Sequence, residues 1–142
     1  MSDRFFLDTN VFAYSFDPGA KSKMRTSDRL IQNGIHTGRG LISYQVVQEF
    51  FNVAFKQFPV PLTVAEAQAY FISVLRPMLG VMFSAAVVLR ALGIREKHLI
   101  PWYDALILAA AIEGDCDTLY TEDFQHGMRI EGVRIQNPFL SN

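Results

Sequence analysis

Apolar positions along the chain fall into two patterns, namely short continuous runs and longer segments with a three-to-four-residue spacing. The short runs are typical of buried strands, because a strand that is covered on both faces has no polar side to expose. The first run ends at Asp8, an acidic residue with apolar neighbours on both sides. The runs predict strands at 5–8, 40–43 and 119–121, and the stretch VRIQ at 133–136 is a candidate for a last strand.

The longer segments place apolar residues on one helical face, and residues that start or stop helices bound them. Thr63 and Glu66 have the spacing of a capping box, in which each side chain satisfies a free amide group of the other. Pro101 fits the first turn of a helix. The spacing predicts five helices. The first runs from 20 to a stop near Gly34, the second from a start capped by Ser43 to the FPVPL stretch at 58–62, and the third from 63 to the RPMLG stretch at 76–80. The fourth covers 84–92 and stops at Gly93, and the fifth runs from 101 to a stop at Gly114.

The order of these elements, in which strands alternate with helices, is typical of a parallel α/β sheet. A chain of 142 residues fits one domain and can bury a core without disulfides. No internal repeat or long linker divides it. We therefore expect residues 1–142 to form a single α/β domain with a central parallel sheet flanked by helices.

Composition and charge narrow the function classes. The net charge of -1 does not support a strongly basic nucleic-acid binder, so a local patch or a metal ion would have to help hold such a partner. The N-terminus lacks the pattern of a signal peptide, and the apolar stretch at 79–89 is shorter than the roughly 20 residues that span a bilayer. Cys116 stands alone, which fits a buried apolar role in a reducing cytoplasm.

Acidic residues recur at positions that a parallel sheet brings to one edge. Asp8 follows the first strand, and Glu122 and Asp123 follow the strand at 119–121. Glu49 and Asp104 lie in the first two turns of helices that begin on the same side. Binding sites in parallel α/β proteins lie beyond the carboxyl ends of the strands. Grouped carboxylates repel one another unless cations balance them, and Mg²⁺ or Mn²⁺ prefers oxygen ligands of this type.

The segments that contain these acids resemble the motifs of PIN-domain nucleases, and most closely those of VapC-like toxins from bacterial and archaeal toxin–antitoxin pairs. The segments are LDTNVFAY at 7–14, SYQVVQEFFNV at 43–53, WYDALILAAA at 102–111 and LYTEDF at 119–124. The resemblance extends over nearly the whole chain and rests on the order and spacing of the four motifs. It implies a PIN domain over residues 1–142.

The resemblance implies a Mg²⁺- or Mn²⁺-dependent ribonuclease that hydrolyses RNA phosphodiester bonds. It implies that Asp8 and Asp104 are direct metal ligands, that Glu49 is a ligand or orients a water, and that Asp123 holds a second ion or a water. Glu122 is adjacent and stays open as an alternative fourth acid. The same resemblance implies that the polar residues next to these acids fix the carboxylates in place, and these are Thr9, Asn10, Ser43 and Thr121.

Partners and substrate contacts follow from the same reasoning. The resemblance implies a small protein antitoxin as a partner and a homodimer as the assembly. Lys21, Arg25 and Arg29 share one face of the predicted helix that begins near residue 20, and this face is either a site of RNA contact or a solvated surface. Tyr14 and Trp102 are candidates for stacking on a base.

Three other classes of function fit the sequence less well. A PIN fold kept for partner binding, with little catalysis, is less favoured because all four acidic positions are filled. A phosphohydrolase of the haloacid-dehalogenase type is expected to carry a second aspartate where Asn10 stands, and a lysine near the last acidic motif. A DNA nuclease of the flap-endonuclease type is expected to carry more acids on a longer chain.

Overall fold

A computed structural model describes residues 3–140 of the chain, and these residues form one mixed sheet covered by helices. The strands are β1 (Arg4–Leu7), β2 (Gly40–Ser43), β3 (Leu79–Val81), β4 (Cys116–Tyr120), β5 (Arg129–Ile130) and β6 (Val133–Gln136). They lie in the order β3-β2-β1-β4-β6-β5. All neighbouring pairs are parallel except β5 and β6, which pair antiparallel at one edge.

The helices connect the strands on both faces of the sheet. They are α1 (Thr9–Tyr14), α2 (Lys21–Thr37), α3 (Tyr44–Lys56), α4 (Val64–Tyr70), α5 (Arg76–Met78), α6 (Ala85–His98) and α7 (Trp102–Glu113), with a π-helical turn at Phe71–Leu75 between α4 and α5. In this part of the chain, no helix combines the length and apolar character needed to cross a membrane. The predicted parallel α/β sheet flanked by helices is confirmed.

The core is built around the central strand β1. Phe6 and Leu7 are fully buried because helices cover both faces of the sheet. Helix α7 is apolar around its circumference in its central part, and it packs against β2 and β4 with the seven consecutive residues 105–111 buried. This packing fixes the N-terminal end of α7 beside the carboxyl ends of the central strands.

Helix α2 is longer than the sequence predicted. Gly34 does not end it, and the helix continues to Thr37, where Gly38 adopts a left-handed conformation with a φ of 71°. Gly34 has a packing role instead, because a Cβ built on it would lie 3.1 Å from the Cα of Gly40 and 2.7 Å from the Cε of Met78. The missing side chain lets α2 approach the start of β2 closely.

Helix α6 also continues through the glycine that was expected to end it. A Cβ built on Gly93 would meet no atom of the described structure within 4 Å, so no close contact requires a glycine there. The helix continues through this position. The helix ends at Leu99, which adopts a left-handed conformation. Pro101 is the N-cap of α7 rather than a residue of its first turn. The helix stops predicted at Gly34 and Gly93 were therefore wrong.

Three short elements were missed in the sequence: α1, β3 and β5. Helix α1 follows β1 directly, and its six residues are too few to give a helical periodicity. Strand β3 lies within the RPMLG region, whose first residues stay helical, and β5 has only two residues. The capping box of Thr63 and Glu66 is confirmed, with both hydrogen bonds present.

Candidate active site

Asp8 lies at the junction of β1 and α1, where its side chain caps the helix. Its Oδ1 accepts a hydrogen bond of 2.7 Å from the amide of Thr9, and its Oδ2 accepts one of 2.8 Å from the hydroxyl of Thr121. The residue is only 4% exposed. Burial raises the pKa of Asp8 to about 7, to which the charges of Asp123 and Glu49 also contribute, against the lowering effect of the two hydrogen bonds.

The hydroxyl of Thr121 joins three residues of the site. It donates to Asp8 and accepts hydrogen bonds from the side-chain amide of Asn10 at 3.3 Å and from the backbone amide of Asp123 at 3.0 Å. One donor and two acceptor lone pairs are all that a threonine hydroxyl has. The direction of each of these bonds is therefore fixed. Thr121 is fully buried, and it holds Asp8, Asp123 and the side-chain amide of Asn10 in fixed relative positions.

Glu49 and Asp104 come from two helices that begin at the same edge of the sheet. Glu49 lies on α3, where its Oε1 accepts a hydrogen bond of 3.0 Å from the hydroxyl of Thr9. Asp104 lies half-buried in the first turn of α7. Burial raises the pKa of Asp104, and the charges of Asp123 and Glu49 raise it further. The neighbouring acids thus oppose one another's ionisation.

The two acids that follow β4 have different surroundings. Glu122 accepts hydrogen bonds from the Tyr14 hydroxyl at 2.7 Å and from Lys23 Nζ at 3.2 Å, so its charge is paired. Asp123 is exposed, and no salt bridge involves it among residues 3–140. Partial burial and the charge of Glu122 raise the pKa of Asp123.

These acids line one cleft of about 450 Å³ at the carboxyl edge of the sheet. Five carboxylates lie in its wall, and in the described part of the chain no lysine or arginine does. The lining residues are Asp8, Thr9, Asn10, Ala13, Tyr14, Gln45, Glu49, Asn52, Val53, Gln57, Tyr103, Asp104, Ile107, Glu122 and Asp123. The structure thus brings together the four acids predicted from the sequence, with Thr9 and Asn10 beside them and Thr121 behind Asp8.

Several predicted residues lie elsewhere. The hydroxyl of Ser43 is buried and has no hydrogen-bond partner among residues 3–140, and it lies at a small hollow next to β3 rather than at the cleft. Although Ser43 is the N-cap of α3, its side chain makes no capping bond. Lys21, Arg25 and Arg29 are exposed on α2, and none of them lines the cleft.

Two residues of the cleft region, Gln45 and Lys23, were missed in the sequence. Gln45 Nε2 bridges Glu49 Oε2 at 3.4 Å and the carbonyl of Tyr103 at 3.2 Å, thereby linking α3 to α7. Gln45 lies four residues before Glu49, so helical spacing could have found it. Lys23 reaches the rim by pairing with Glu122, and its position in the sequence gives no signal of this contact.

The chemistry of the cleft fits a hard divalent cation. Carboxylate oxygens and an amide oxygen are ligands that Mg²⁺ or Mn²⁺ accepts, and Asn10 Oδ1 is buried at the cleft with no hydrogen-bond donor among residues 3–140. As they stand, no three acidic, histidine or cysteine side chains in this part of the chain form a group that could hold an ion. Binding of an ion would therefore require some of these side chains to move toward one another.

Cys116 and an apolar surface lie outside this cleft. Cys116 is buried, and burial raises the pKa of its thiol to about 12, as expected for a residue with an apolar role. A separate groove of about 590 Å³ lies between α3 and α4 on the outside of the molecule. Its lining is largely apolar and consists of Phe51, Phe55, Val64, Ala67, Gln68, Phe71 and Ile72.

The fold and the cleft agree with a family match. The PIN domain family matches residues 5–127, which is most of the chain, and the chain therefore belongs to the PIN domain family. Members of this family are generally nucleases, and they generally use divalent metal ions. Among curated proteins, no significant match to the sequence is found.

Solved structures with a similar fold come from toxin–antitoxin complexes. The chain is similar to one in the toxin-antitoxin complex from Klebsiella pneumoniae, with a TM-score of 0.69 and 19% identity over 94% of this chain and 97% of that one. For DNA-bound VapBC from Salmonella typhimurium, the TM-score is 0.66, with 20% identity over 95% and 98% of the two chains. For promoter-bound VapBC2 from Rickettsia felis, the TM-score is 0.63, with 20% identity over 94% and 97%. At these identities, the likeness shows the shared fold.

Proposed function

We propose that this protein is a Mg²⁺- or Mn²⁺-dependent endoribonuclease and the toxin of a toxin–antitoxin pair. The observation that carries the proposal is the convergence of four carboxylates from four separate elements on one cleft. Such a group is unfavourable to the fold, since burial and mutual repulsion raise the pKa of three of the four acids. A function that needs the charges together explains the arrangement.

In this proposal, Asp8, Glu49, Asp104 and Asp123 hold the metal ion or ions. A bound divalent ion supplies charge neutralisation at the phosphate and lowers the pKa of water that attacks it. The chain's own residues orient the acids. Thr121 holds Asp8 and Asp123 in register, and Thr9 fixes one oxygen of Glu49. Asn10 braces Thr121 and leaves its own carbonyl oxygen free toward the cleft.

Asp123 is a better candidate than Glu122 for the fourth acid. The carboxylate of Glu122 already accepts two hydrogen bonds at the rim, one of them from the ammonium group of Lys23. Recruiting it to a metal ion would break that ion pair. Asp123 carries no such pairing in the described structure, and its backbone is fixed by Thr121.

Cleavage of RNA by the purified protein tests the proposal directly. Wild type is expected to cleave RNA with Mg²⁺ or Mn²⁺ and to lose this activity in EDTA. Asp8→Asn and Asp104→Asn are expected to reduce cleavage by at least about 100-fold, because each removes a charged ligand. Asp28→Asn, an exposed acid on α2 away from the cleft, is the matched control and is expected to retain activity. Absence of cleavage by wild type would favour the binding-module alternative.

The chemical ends of the products give a second test. Attack by an activated water leaves a 5′-phosphate and a 3′-hydroxyl. In the described structure, the cleft lining lacks histidine, lysine and arginine, so no cationic side chain lies there to support attack by the ribose 2′-hydroxyl without a metal ion. End-labelling and mass spectrometry distinguish the two outcomes. Products that end in a 2′,3′-cyclic phosphate would contradict the proposed water attack.

The proposed partner is a small protein antitoxin, and the proposed assembly is a homodimer that acts in the cytoplasm. Support comes from the toxin–antitoxin complexes of the structural neighbours. The apolar groove between α3 and α4 provides exposed surface of the kind that protein partners cover. Co-expression with the product of the adjacent reading frame, followed by co-purification and size-exclusion chromatography, tests both statements. A monomer that captures no such product would contradict them without affecting the nuclease test.

A further inference from the structure

The proposed substrate is a polyanion, and the wall of the cleft carries no cation that attracts it. Five carboxylates line that wall, and within residues 3–140 no lysine or arginine does. Contacts between phosphates and basic side chains supply a large share of the affinity of proteins for nucleic acids. Bound divalent ions offset the charge only at the point of cleavage. Basic contacts with the rest of the strand therefore have to lie outside the cleft.

A second groove, of about 550 Å³, lies between α2, the end of β4 and the segment after β6. The lining of this α2 groove consists of Thr26, Arg29, Leu30, Asn33, Tyr120 and Pro138. Its apolar residues offer a surface for a base or a sugar, and its arginine and polar side chains offer hydrogen-bond donors. A largely apolar groove of this volume with a few polar groups is typical of a site for a small ligand, and a nucleotide has the matching chemistry.

The α2 groove begins where the rim of the cleft ends. At the rim, Lys23 Nζ lies 3.2 Å from Glu122 Oε2 and 4.4 Å from the centroid of the Tyr14 ring, against which Phe139 packs edge-on. Tyr14 and Glu122 line the cleft. The lining of the α2 groove includes the residue one helical turn after Lys23, the residue two before Glu122 and the residue next to Phe139. A strand that leaves the cleft across this rim therefore enters the α2 groove.

Arg29 supplies the positive charge of the α2 groove. It is exposed, and it makes no salt bridge within residues 3–140. Its Nη2 makes a long contact of 3.5 Å with the hydroxyl of Thr26. The guanidinium group is therefore available for a phosphate, which it can bind with two parallel hydrogen bonds. Lys23 lies six residues earlier on α2, about 9 Å along the helix axis, so the two cations can contact different phosphates of one strand.

The structure separates Arg29 from the other two residues of the basic face of α2. Lys21, Arg25 and Arg29 share that face by their spacing, yet of these three only Arg29 lines the α2 groove. Arg25 is exposed on the same helix, outside both the α2 groove and the cleft. The two arginines thus have the same charge and different surroundings, which makes Arg25 the matched control for Arg29.

We propose that the α2 groove is a second substrate site, in which Arg29 binds a phosphate of the RNA strand beyond the cleft and the apolar lining holds the attached nucleoside. The inference rests on the proposed ribonuclease function and adds a site to it. The affinity for RNA then depends on how far the strand extends on one side of the cleaved bond. Because Arg29 lies outside the cleft that holds the acids, it contributes to substrate binding and not to bond cleavage.

Steady-state cleavage in Mn²⁺ of an RNA that wild type cleaves, shortened from each end in turn, tests this. For wild type, KM is expected to rise in one step when shortening removes the nucleotide that occupies the α2 groove. Arg29→Ala is expected to raise KM for the long RNA about 10-fold, the effect of losing a charge-assisted contact, with little change in kcat. On the short RNA it is expected to match wild type. Arg25→Ala removes the same charge and is expected to match wild type on both RNAs.

Two further measurements distinguish a phosphate contact from a general loss of positive charge. For the long RNA, the slope of log KM against log salt is expected to fall by about 0.7–0.9 in Arg29→Ala, and Arg29→Lys, which keeps the charge, is expected to restore it. Asn33→Asp introduces a negative charge into the α2 groove and is expected to raise KM for the long RNA. Gln32→Glu adds the same charge to an exposed position outside the groove and is expected to leave KM unchanged.

A KM that does not depend on RNA length, an unchanged KM for the long RNA in Arg29→Ala, or equal losses in Arg29→Ala and Arg25→Ala would each overturn the inference while the ribonuclease proposal stands. An unchanged KM together with loss of co-purification of the adjacent reading frame's product would assign the α2 groove to a protein partner instead. If wild type cleaves no RNA, the inference falls together with the ribonuclease proposal.

Discussion

At the scale of single residues, the hydroxyl of Thr121 determines how the acids are held. It is fully buried, and its three hydrogen bonds use its whole capacity. Removing the hydroxyl leaves a carboxylate oxygen and two amide groups without this partner. A buried polar group that loses its partner costs about 1–3 kcal/mol, so this one side chain affects both the stability and the geometry of the cleft.

We therefore expect Thr121→Val, which preserves the shape, to lower the free energy of unfolding by about 1–3 kcal/mol or more. RNA cleavage is expected to fall about 10- to 100-fold, as for other residues that orient metal ligands. Thr121→Ser restores the hydroxyl and is the control, expected to lie close to wild type in activity. Urea unfolding and a cleavage assay measure the two effects. A Val variant as stable and active as wild type would contradict this role.

Asp8 predicts a pH dependence of stability in the metal-free protein. Its pKa is raised from 3.8 to about 7, so between these pH values the native state keeps a proton that the unfolded state has lost. The stabilising contribution is complete below pH 3.8, falls as pH rises through this window and levels off above pH 7. Across the whole window, the free energy of unfolding falls by at most about 4 kcal/mol because of Asp8.

Urea unfolding in EDTA between pH 5 and pH 7.5 measures this change. Wild type is expected to be more stable at the lower pH, and Asp8→Asn to have a shallower slope. Some slope remains in the variant, since the pKa values of Asp104 and Asp123 are raised in the same direction. Identical slopes in wild type and Asp8→Asn would show that Asp8 ionises in the fold as it does in the unfolded chain.

At the scale of elements, two glycines inside helices have opposite roles. Gly93 on α6 has open space where a Cβ would lie, and Gly34 on α2 would place its Cβ 3.1 Å from the Cα of Gly40. Gly93→Ala is expected to stabilise the protein by about 0.5–1 kcal/mol, because alanine favours the helix. Gly34→Ala is expected to destabilise it, because overpacking costs about 1–3 kcal/mol and forces α2 away from β2.

The midpoints of urea denaturation provide the measurement, and each variant serves as the control for the other. Both substitutions make the same chemical change in the middle of a helix, so a difference in sign can only come from the surroundings. A Gly34→Ala variant whose midpoint equals or exceeds that of wild type would contradict the packing role assigned to Gly34, and a Gly93→Ala variant with a lowered midpoint would contradict the open space assigned to Gly93.

At the scale of the whole molecule, the cleft joins β1, α3, α7 and the segment after β4. An ion bound there is held by parts of the chain that are distant in sequence, and it therefore stabilises the folded state over the unfolded one. Binding at 100 times the dissociation constant adds about 2.7 kcal/mol. In EDTA, Asp104→Asn is expected to melt at a higher temperature than wild type, because it relieves the repulsion among the acids.

Thermal melts of wild type and Asp104→Asn, in EDTA and across a Mn²⁺ titration at pH 7, test this coupling. Wild type is expected to gain stability with the ion, and the variant much less. The metal response is the decisive quantity, since the EDTA melt also depends on how an asparagine fits the half-buried position in the first turn of α7. Equal metal-induced shifts in both proteins would mean that Asp104 does not help to hold an ion.

The sequence by itself determined the type of fold and which acids converge. A continuous apolar run marked β1, and an acid at the end of a parallel strand must lie at the edge where the other strands end, wherever the strands are placed in the sheet. Asp8, Glu49, Asp104 and Asp123 could be assigned to one cleft for that reason. These four acids share a site because the strands of the sheet are parallel, and the order of strands and helices that makes them parallel can be predicted from the local periodicity of the sequence.

Only the tertiary structure decided what depends on contacts between distant segments. Nothing local distinguishes Gly34, which α2 needs for its approach to β2, from Gly93, which meets no neighbour. Lys23 and Glu122 are paired across 99 positions of the chain, and Phe139, near the end of the described chain, packs edge-on against the Tyr14 ring. Hydrophobic spacing records which face of an element is buried, whereas the identity of the neighbour that buries it is set by how the whole chain folds.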